Sequence, residues 1–77
     1  MKPTYSKRAV KAINRISNPF KQNIKEAIEK LPFGDVKKLQ GYKTAYRLRV
    51  GDYRILFDMD GEIEIIDVLP RGAAYKN

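Results

Sequence analysis

Five residues in the second half of the chain have the types and spacing to do phosphate chemistry: Arg47, Arg49, Arg54, Arg71 and Tyr75. A guanidinium is a planar fork of donors that fits phosphate oxygens and keeps its charge at any cellular pH. A tyrosine beside such forks offers a face on which a splayed base can stack, the usual way single-stranded RNA is held. The chain has no cysteine and no histidine, so disulfides, thiolate chemistry, the usual zinc sites and imidazole acid–base catalysis are excluded. Neither a metal nor a cofactor is expected. A bland alternative exists for the arginines, a solvated charged face with Asp67 as partial counter-ion.

The elements that must position these residues follow from the hydrophobic period. Ser6 is placed to cap a helix on which Val10, Ile13 and Ile16 form one stripe. Ser17-Asn18-Pro19 ends it and starts a second, with Asn18 as cap, Pro19 in the first helical position and Phe20, Ile24, Ile28 and Leu31 as its apolar stripe. Pro32 and Gly34 end that helix. After Gly41 the period becomes 2, and Thr44 to Val50, Tyr53 to Asp58 and Glu62 to Leu69 read as three strands joined at Gly51-Asp52 and Asp60-Gly61. Pro3 suits residues 1 to 5 to a sheet edge if they pair at all. The fold class is therefore α+β, two N-terminal helices packed on a small antiparallel sheet in a single domain over residues 1 to 77.

Two-residue turns at both hairpins set the register. Arg49 then faces Arg54, and Arg54 faces Asp67. The core side carries Tyr46, Leu48, Val50, Tyr53, Ile55, Phe57, Ile66 and Val68. The other side gathers Arg47, Arg49 and Arg54 at one end and Leu56, Ile63 and Ile65 at the other. Two arginines directly across a strand pair cost roughly 0.2 to 1 kcal/mol, which a sequence selected for folding alone would avoid.

Charge is uneven as well as high. Residues 1 to 43 hold 11 Lys+Arg and 3 acids (+8) and residues 44 to 77 hold 5 and 6 (−1), which gives the net +7. Such a field attracts polyanions, nucleic acid above all, although a solvated lysine-rich helix face gives the same count. Candidate contacts for RNA or a ribosome are Lys7, Lys11, Lys21, Lys25, Lys37 and Lys38. No apolar run reaches the ~18 residues of a membrane span and no signal peptide core is evident, so a cytoplasmic protein without membrane contact is expected.

The stretches Leu39-Gln40-Gly41, Tyr46-Arg47-Leu48-Arg49-Val50-Gly51-Asp52-Tyr53-Arg54-Ile55, Ile66-Asp67-Val68-Leu69-Pro70-Arg71-Gly72 and Tyr75-Lys76 together resemble the RelE/ParE superfamily of toxins, RelE branch. Tyr5-Ser6-Lys7-Arg8-Ala9-Val10-Lys11 is similar to that family's first-strand-to-helix junction. The resemblance implies the RelE-like fold and the toxin of a type II toxin–antitoxin pair, which cuts mRNA in the ribosomal A site by attack of a ribose 2′-hydroxyl on its own 3′-phosphate. It puts the catalytic positions at Arg47, Arg49, Arg54, Arg71 and Tyr75. Its implied partners are a cognate antitoxin, the ribosome and mRNA, with operator DNA bound only together with the antitoxin. Leu56, Ile63 and Ile65 are the expected antitoxin contacts. At Arg49 the family pattern has a lysine proposed as general base, and a guanidinium gives up its proton far less readily. Base duty then falls to Tyr75, water or a ribosomal group. The acid common after the Arg-Gly is missing from Gly72-Ala73-Ala74. Two other readings stay open: a ParE-like toxin that binds gyrase without RNA chemistry, and a non-toxic member that keeps only antitoxin binding.

Overall fold

Ser6 starts the first helix as its sequence implies. Its hydroxyl accepts the Ala9 N–H at 3.0 Å, satisfying one of the amides that a helix start leaves unpaired. In the computed structural model, which describes residues 2–72, the order is β1 (Thr4–Tyr5), α1 (Lys7–Asn14), α2 (Phe20–Glu29), β2 (Asp35–Lys38), β3 (Ala45–Val50), β4 (Tyr53–Asp60) and β5 (Glu62–Pro70). The buried stripe of α1 is Ala9, Ile13 and Ile16. Val10 is 44% exposed, so Ala9 takes the first place expected for Val10 while Ile13 and Ile16 stand as expected, and the small Ala9 lets the helix approach the sheet closely. On α2 Ile24 and Ile28 are buried, with Leu31 just beyond, while Phe20 lies half-exposed with its ring 6.3 Å from that of Tyr53. The cap of α2 differs from the expectation by one residue: Pro19 is the N-cap and Phe20 the first helical residue, while Asn18, one position before the cap, accepts the Gln22 N–H with its side-chain oxygen.

The strands form one sheet in the order β1-β5-β4-β3-β2. β1 runs parallel to β5 at one edge and the other neighbours are antiparallel. Both helices lie on one side of the sheet, α1 over β5 and β1 and α2 over β3. Between the layers sit Leu48, Ile55, Phe57, Ile63 and Ile65, all fully buried against Ile24 and Ile28. Phe57 stacks on Tyr46 with ring centroids 5.6 Å apart. Each buried aliphatic or aromatic side chain contributes about 1.5 to 3 kcal/mol. The α+β class stands as expected, and β2 is an addition that its Asp-Val-Lys-Lys sequence, with one apolar residue, did not signal. Among the described residues no helix is long and apolar enough to cross a membrane.

The register of the second hairpin differs from the expectation. Asp60 pairs with Glu62 around Gly61 alone, which puts Met59 opposite Ile63 and Phe57 opposite Ile65. A slip of one residue exchanges the faces of a strand. Ile63 and Ile65 are therefore 2% and 0% exposed, part of the core and not of the arginine face, so the antitoxin contacts expected there are not available at the surface. Between Ile65 and Asp67 the strand bulges. Leu56 pairs with Asp67, Ile66 has no partner across β4 and is 37% exposed, and the phase of β5 is restored so that Val68 points inward again. Arg54 consequently faces Leu69, not Asp67. The carbonyl of the bulged Ile66 is satisfied by the Ser6 hydroxyl at 2.6 Å, and the Ser6 N–H donates to the Ile65 carbonyl at 2.9 Å.

Candidate active site

The first hairpin assembles the cationic cluster. Val50 pairs with Tyr53 across a two-residue turn, and Gly51 adopts φ +56°, a left-handed conformation that costs an L side chain roughly 1 to 2 kcal/mol. The tight turn fixes Arg49 directly opposite Arg54 on the face of the sheet away from the helices. β5 then delivers the third cation. Past Pro70, the Arg71 N–H donates to the Asp52 carbonyl, and its guanidinium lies 3.9 Å from the Asp52 carboxylate. Arg49, Arg54 and Arg71, with Gly51, Asp52 and Tyr53, line one shallow cavity of about 30 Å³. Arg71 and Asp52 are both 77% exposed, and an ion pair in such a setting contributes about 0 to 1 kcal/mol. Asp52 thus orients Arg71 while remaining easily displaced by a stronger anion. The sequence reading treated Asp52 as a turn residue and missed this pairing; its position beside three arginines becomes visible once β5 is placed next to β4.

Arg47 points the same way but does not join the cluster. Its guanidinium turns to β2, 3.6 Å from the Asp35 carboxylate and donating to the Asp35 carbonyl, and its side chain is 18% exposed. It ties β2 to β3 in a diagonal cross-strand pair. Tyr75 lies outside the described residues.

The lysines are dispersed. Lys7 and Lys11 stand on α1, where Arg8 and Arg15 join them along a cleft against β5. Lys25 of α2 lines a different cleft of about 360 Å³ with Tyr5, Val10 and Glu29. There burial, and then the negative charge of Glu29, push the Tyr5 phenol above its ordinary value. Lys21 opens α2, and Lys37 and Lys38 occupy the edge strand β2. Leu56 is half-buried on the outer face, where it was expected. That face is electrically polar along its length: the arginines hold one end, while at the other Asp58 pairs with Glu64 and Asp60 with Glu62. Among the described residues no group of three or more His, Cys, Asp or Glu could hold a metal ion.

This geometry can be set beside known proteins. Residues 4–75 match the family described as ParE toxin of type II toxin–antitoxin system, parDE. The chain belongs to the RelE/ParE superfamily of type II toxins. Within the superfamily it is 33% identical over 84 residues to Toxin RelE3 of Methanocaldococcus jannaschii, covering 97% of this chain and 96% of that protein. Among solved structures it is similar to the RelB-RelE antitoxin–toxin complex of Methanococcus jannaschii, with 32% identity, a TM-score of 0.75 and 87% and 88% of the two chains covered. The archaeal RelE-RelB complex of Pyrococcus horikoshii OT3 follows at 29% identity and a TM-score of 0.73, over 95% and 97%. The RelBE2 complex of Mycobacterium tuberculosis, at 18% identity and a TM-score of 0.77 over 90% and 95%, shares the fold. As a RelE/ParE toxin the chain thus has the superfamily's helices and sheet, with its own arginine cluster at the β3–β4 turn.

Proposed function

We propose that this toxin is a ribosome-dependent mRNA endonuclease that acts in the A site and thereby stops translation. The observation that carries this reading is the convergence of Arg49, Arg54 and Arg71 on one cavity, built at the cost of a like-charge pair directly across two strands. In the reaction a ribose 2′-oxygen bonds to the adjacent phosphorus and the bond to the 5′-oxygen of the next nucleotide breaks, leaving a 2′,3′-cyclic phosphate and a 5′-hydroxyl. One proton leaves the 2′-hydroxyl and one reaches the departing oxygen. The phosphorane between them carries extra negative charge, which three guanidinium forks stabilise, Arg49 and Arg54 from the β3–β4 hairpin and Arg71 from the residue after β5. Asp52, displaced from Arg71 by the incoming phosphate, holds that side chain ready beforehand. Proton transfer is left to Tyr75, water or a ribosomal group, because a guanidinium is a poor base.

A cognate antitoxin completes the reading, as RelB accompanies RelE in the methanococcal complex. With Ile63 and Ile65 inside, Leu56, Leu69 and the bulged Ile66 are among the apolar side chains left for it on the outer face or at its rim.

The test is primer extension on purified ribosomes programmed with a defined mRNA, in parallel with gyrase supercoiling. Wild type should cut in the A-site codon and leave supercoiling untouched. Arg54→Ala and Arg71→Ala should each lose about 100-fold or more, the usual effect of deleting one donor to a developing oxyanion. Uncut mRNA with gyrase inhibited would replace this reading by the ParE-like one, and inactivity in both assays would leave the antitoxin-binding reading.

A further inference from the structure

β1 pairs with β5 at Glu64 and Ile65, and Ser6 takes the next two carbonyls. Beyond that point residues 67–70 have no strand partner on this side among the described residues, and α1 runs beside this edge. Between helix and edge lies a cleft of about 470 Å³ whose helix side is cationic: Lys7, Arg8, Lys11 and Arg15, with the small Ala12 leaving room among them. Asp67 is the one carboxylate among the lining residues, and it is engaged locally, accepting the Val68 N–H at 2.8 Å. The floor strand of the cleft ends at Pro70, and the next residue, Arg71, lines the arginine cavity. The two cationic sites therefore adjoin.

We propose that this cleft holds the sugar-phosphate backbone of the RNA strand on one side of the phosphate bound by Arg49, Arg54 and Arg71, which rests on reading the arginine cavity as a phosphate site. Four cations on a solvated helix suit successive phosphates, which need charge more than fixed geometry. The half-buried Leu69 and exposed Pro70 offer an apolar surface against which a ribose can pack. An added peptide strand would fit this edge poorly. The Arg71 N–H points towards the β3–β4 turn, so the backbone donor positions of Val68 and Pro70 are the ones directed at the edge; the Val68 N–H is already taken by Asp67 and proline has none.

The experiment uses the full chain and single-stranded oligouridylates of 3 and 12 nucleotides, labelled for fluorescence anisotropy, at several salt concentrations. The double variant Lys11→Glu/Arg15→Glu should bind the 12-mer at least 10-fold more weakly, with a salt slope smaller by roughly 0.7 for each phosphate that is no longer neutralised. Its affinity for the 3-mer should stay within about twofold, because a ligand with so few phosphates engages the arginine cluster without reaching along the cleft. Lys30→Glu/Lys43→Glu, outside the cleft and with the same fall in net charge, is the control, and circular dichroism checks that each variant folds. Equal losses in the two double variants, or none in either, would overturn the proposal. So would a poly-glutamate peptide that binds wild type, loses affinity in the Lys11→Glu/Arg15→Glu variant and is not displaced by the 12-mer, since the cleft would then serve an acidic protein segment. Arg54→Ala should weaken both oligonucleotides. If it weakens neither while the Lys11→Glu/Arg15→Glu variant loses the 12-mer, the arginine cavity fails as a phosphate site and the cleft stands as an RNA groove.

Discussion

β4 is paired on both sides, and its two hairpins are built differently. With β3 it turns through Gly51-Asp52, keeps one register throughout and presents two arginines at the turn. With β5 it turns around Gly61 alone, changes register at a bulge and presents two pairs of carboxylates. The first is stiff because nothing in it is irregular, and it carries the cluster that would hold a phosphate. The second spends its irregularity on packing, since the bulge lets Ile63, Ile65 and Val68 all reach the core although they do not share one alternation. A regular ladder thus supports the site, and an irregular one fits the sheet to α1 through Ser6.

The contrast is broken most severely by charging the second hairpin. Ile65→Glu buries an unpaired carboxylate in the core and should cost more than about 4 kcal/mol, enough to unfold a domain of this size. Ile66→Glu, one residue on, should stay within about 0.5 kcal/mol. Urea titrations of the pair decide between the bulged register and a regular one, in which the two effects would be reversed. Gly51→Ala comes next. At φ +56° it should lose about 1 to 2 kcal/mol, read as a lower urea midpoint, and loosen the arginine cavity with it.

Arg49→Glu has a smaller effect on the fold, because its two cross-strand neighbours carry opposite charges. The new carboxylate would attract Arg54 on β4 but repel Asp35, which lies directly opposite on β2, each by about 0.2 to 1 kcal/mol, so stability should stay within about 1 kcal/mol of wild type while mRNA cleavage is abolished. In an Asp35→Asn background, where only the Arg54 pair remains, the same substitution should raise stability, and a fall there would show that Arg49 and Arg54 do not repel. The smallest effect is confined to high pH. Burial raises the Tyr5 phenol, so the unfolded chain ionises first, near pH 10. Folding therefore loses stability as pH rises from the unfolded value to the folded one, and is unaffected by this group below that range. Between pH 9 and 11 the wild-type midpoint should fall more than that of Tyr5→Phe.

The sequence showed the first hairpin in full because a two-residue turn and an unbroken alternation leave one register. In β5 Ile63 and Ile65 follow one alternation and Ile66 and Val68 the other, and the two phases meet at the adjacent Ile65-Ile66. That junction is the signal of a bulge. Taking Asp60-Gly61 as a two-residue turn and running one register from it put Ile66 and Val68 on the core face and turned Ile63 and Ile65 outward. Ser6 was legible as a cap, but its second bond to a carbonyl 60 residues away belongs to tertiary structure. Arg47 was grouped with the other arginines because Asp35 lies on a strand too short and too polar to announce itself. Arg8 and Arg15 share α1 with Lys7 and Lys11, yet the cleft they line exists only because β1 stops short along β5.

The parallel docking of β1 on β5 also orders events in time. Bringing Ser6 to Ile66 closes a loop of 60 residues, which by chain statistics costs about 3.6 kcal/mol, whereas each hairpin closes locally within microseconds. The seam between the start of the chain and β5 therefore forms behind the rest of the sheet, and it is the first part to open under native conditions. Each opening frees the start of α1 from the edge of β5 without disturbing Arg49 and Arg54. The Ser6 amide, bonded to the Ile65 carbonyl, reports those openings as hydrogen exchange faster than that of the β3–β4 amides.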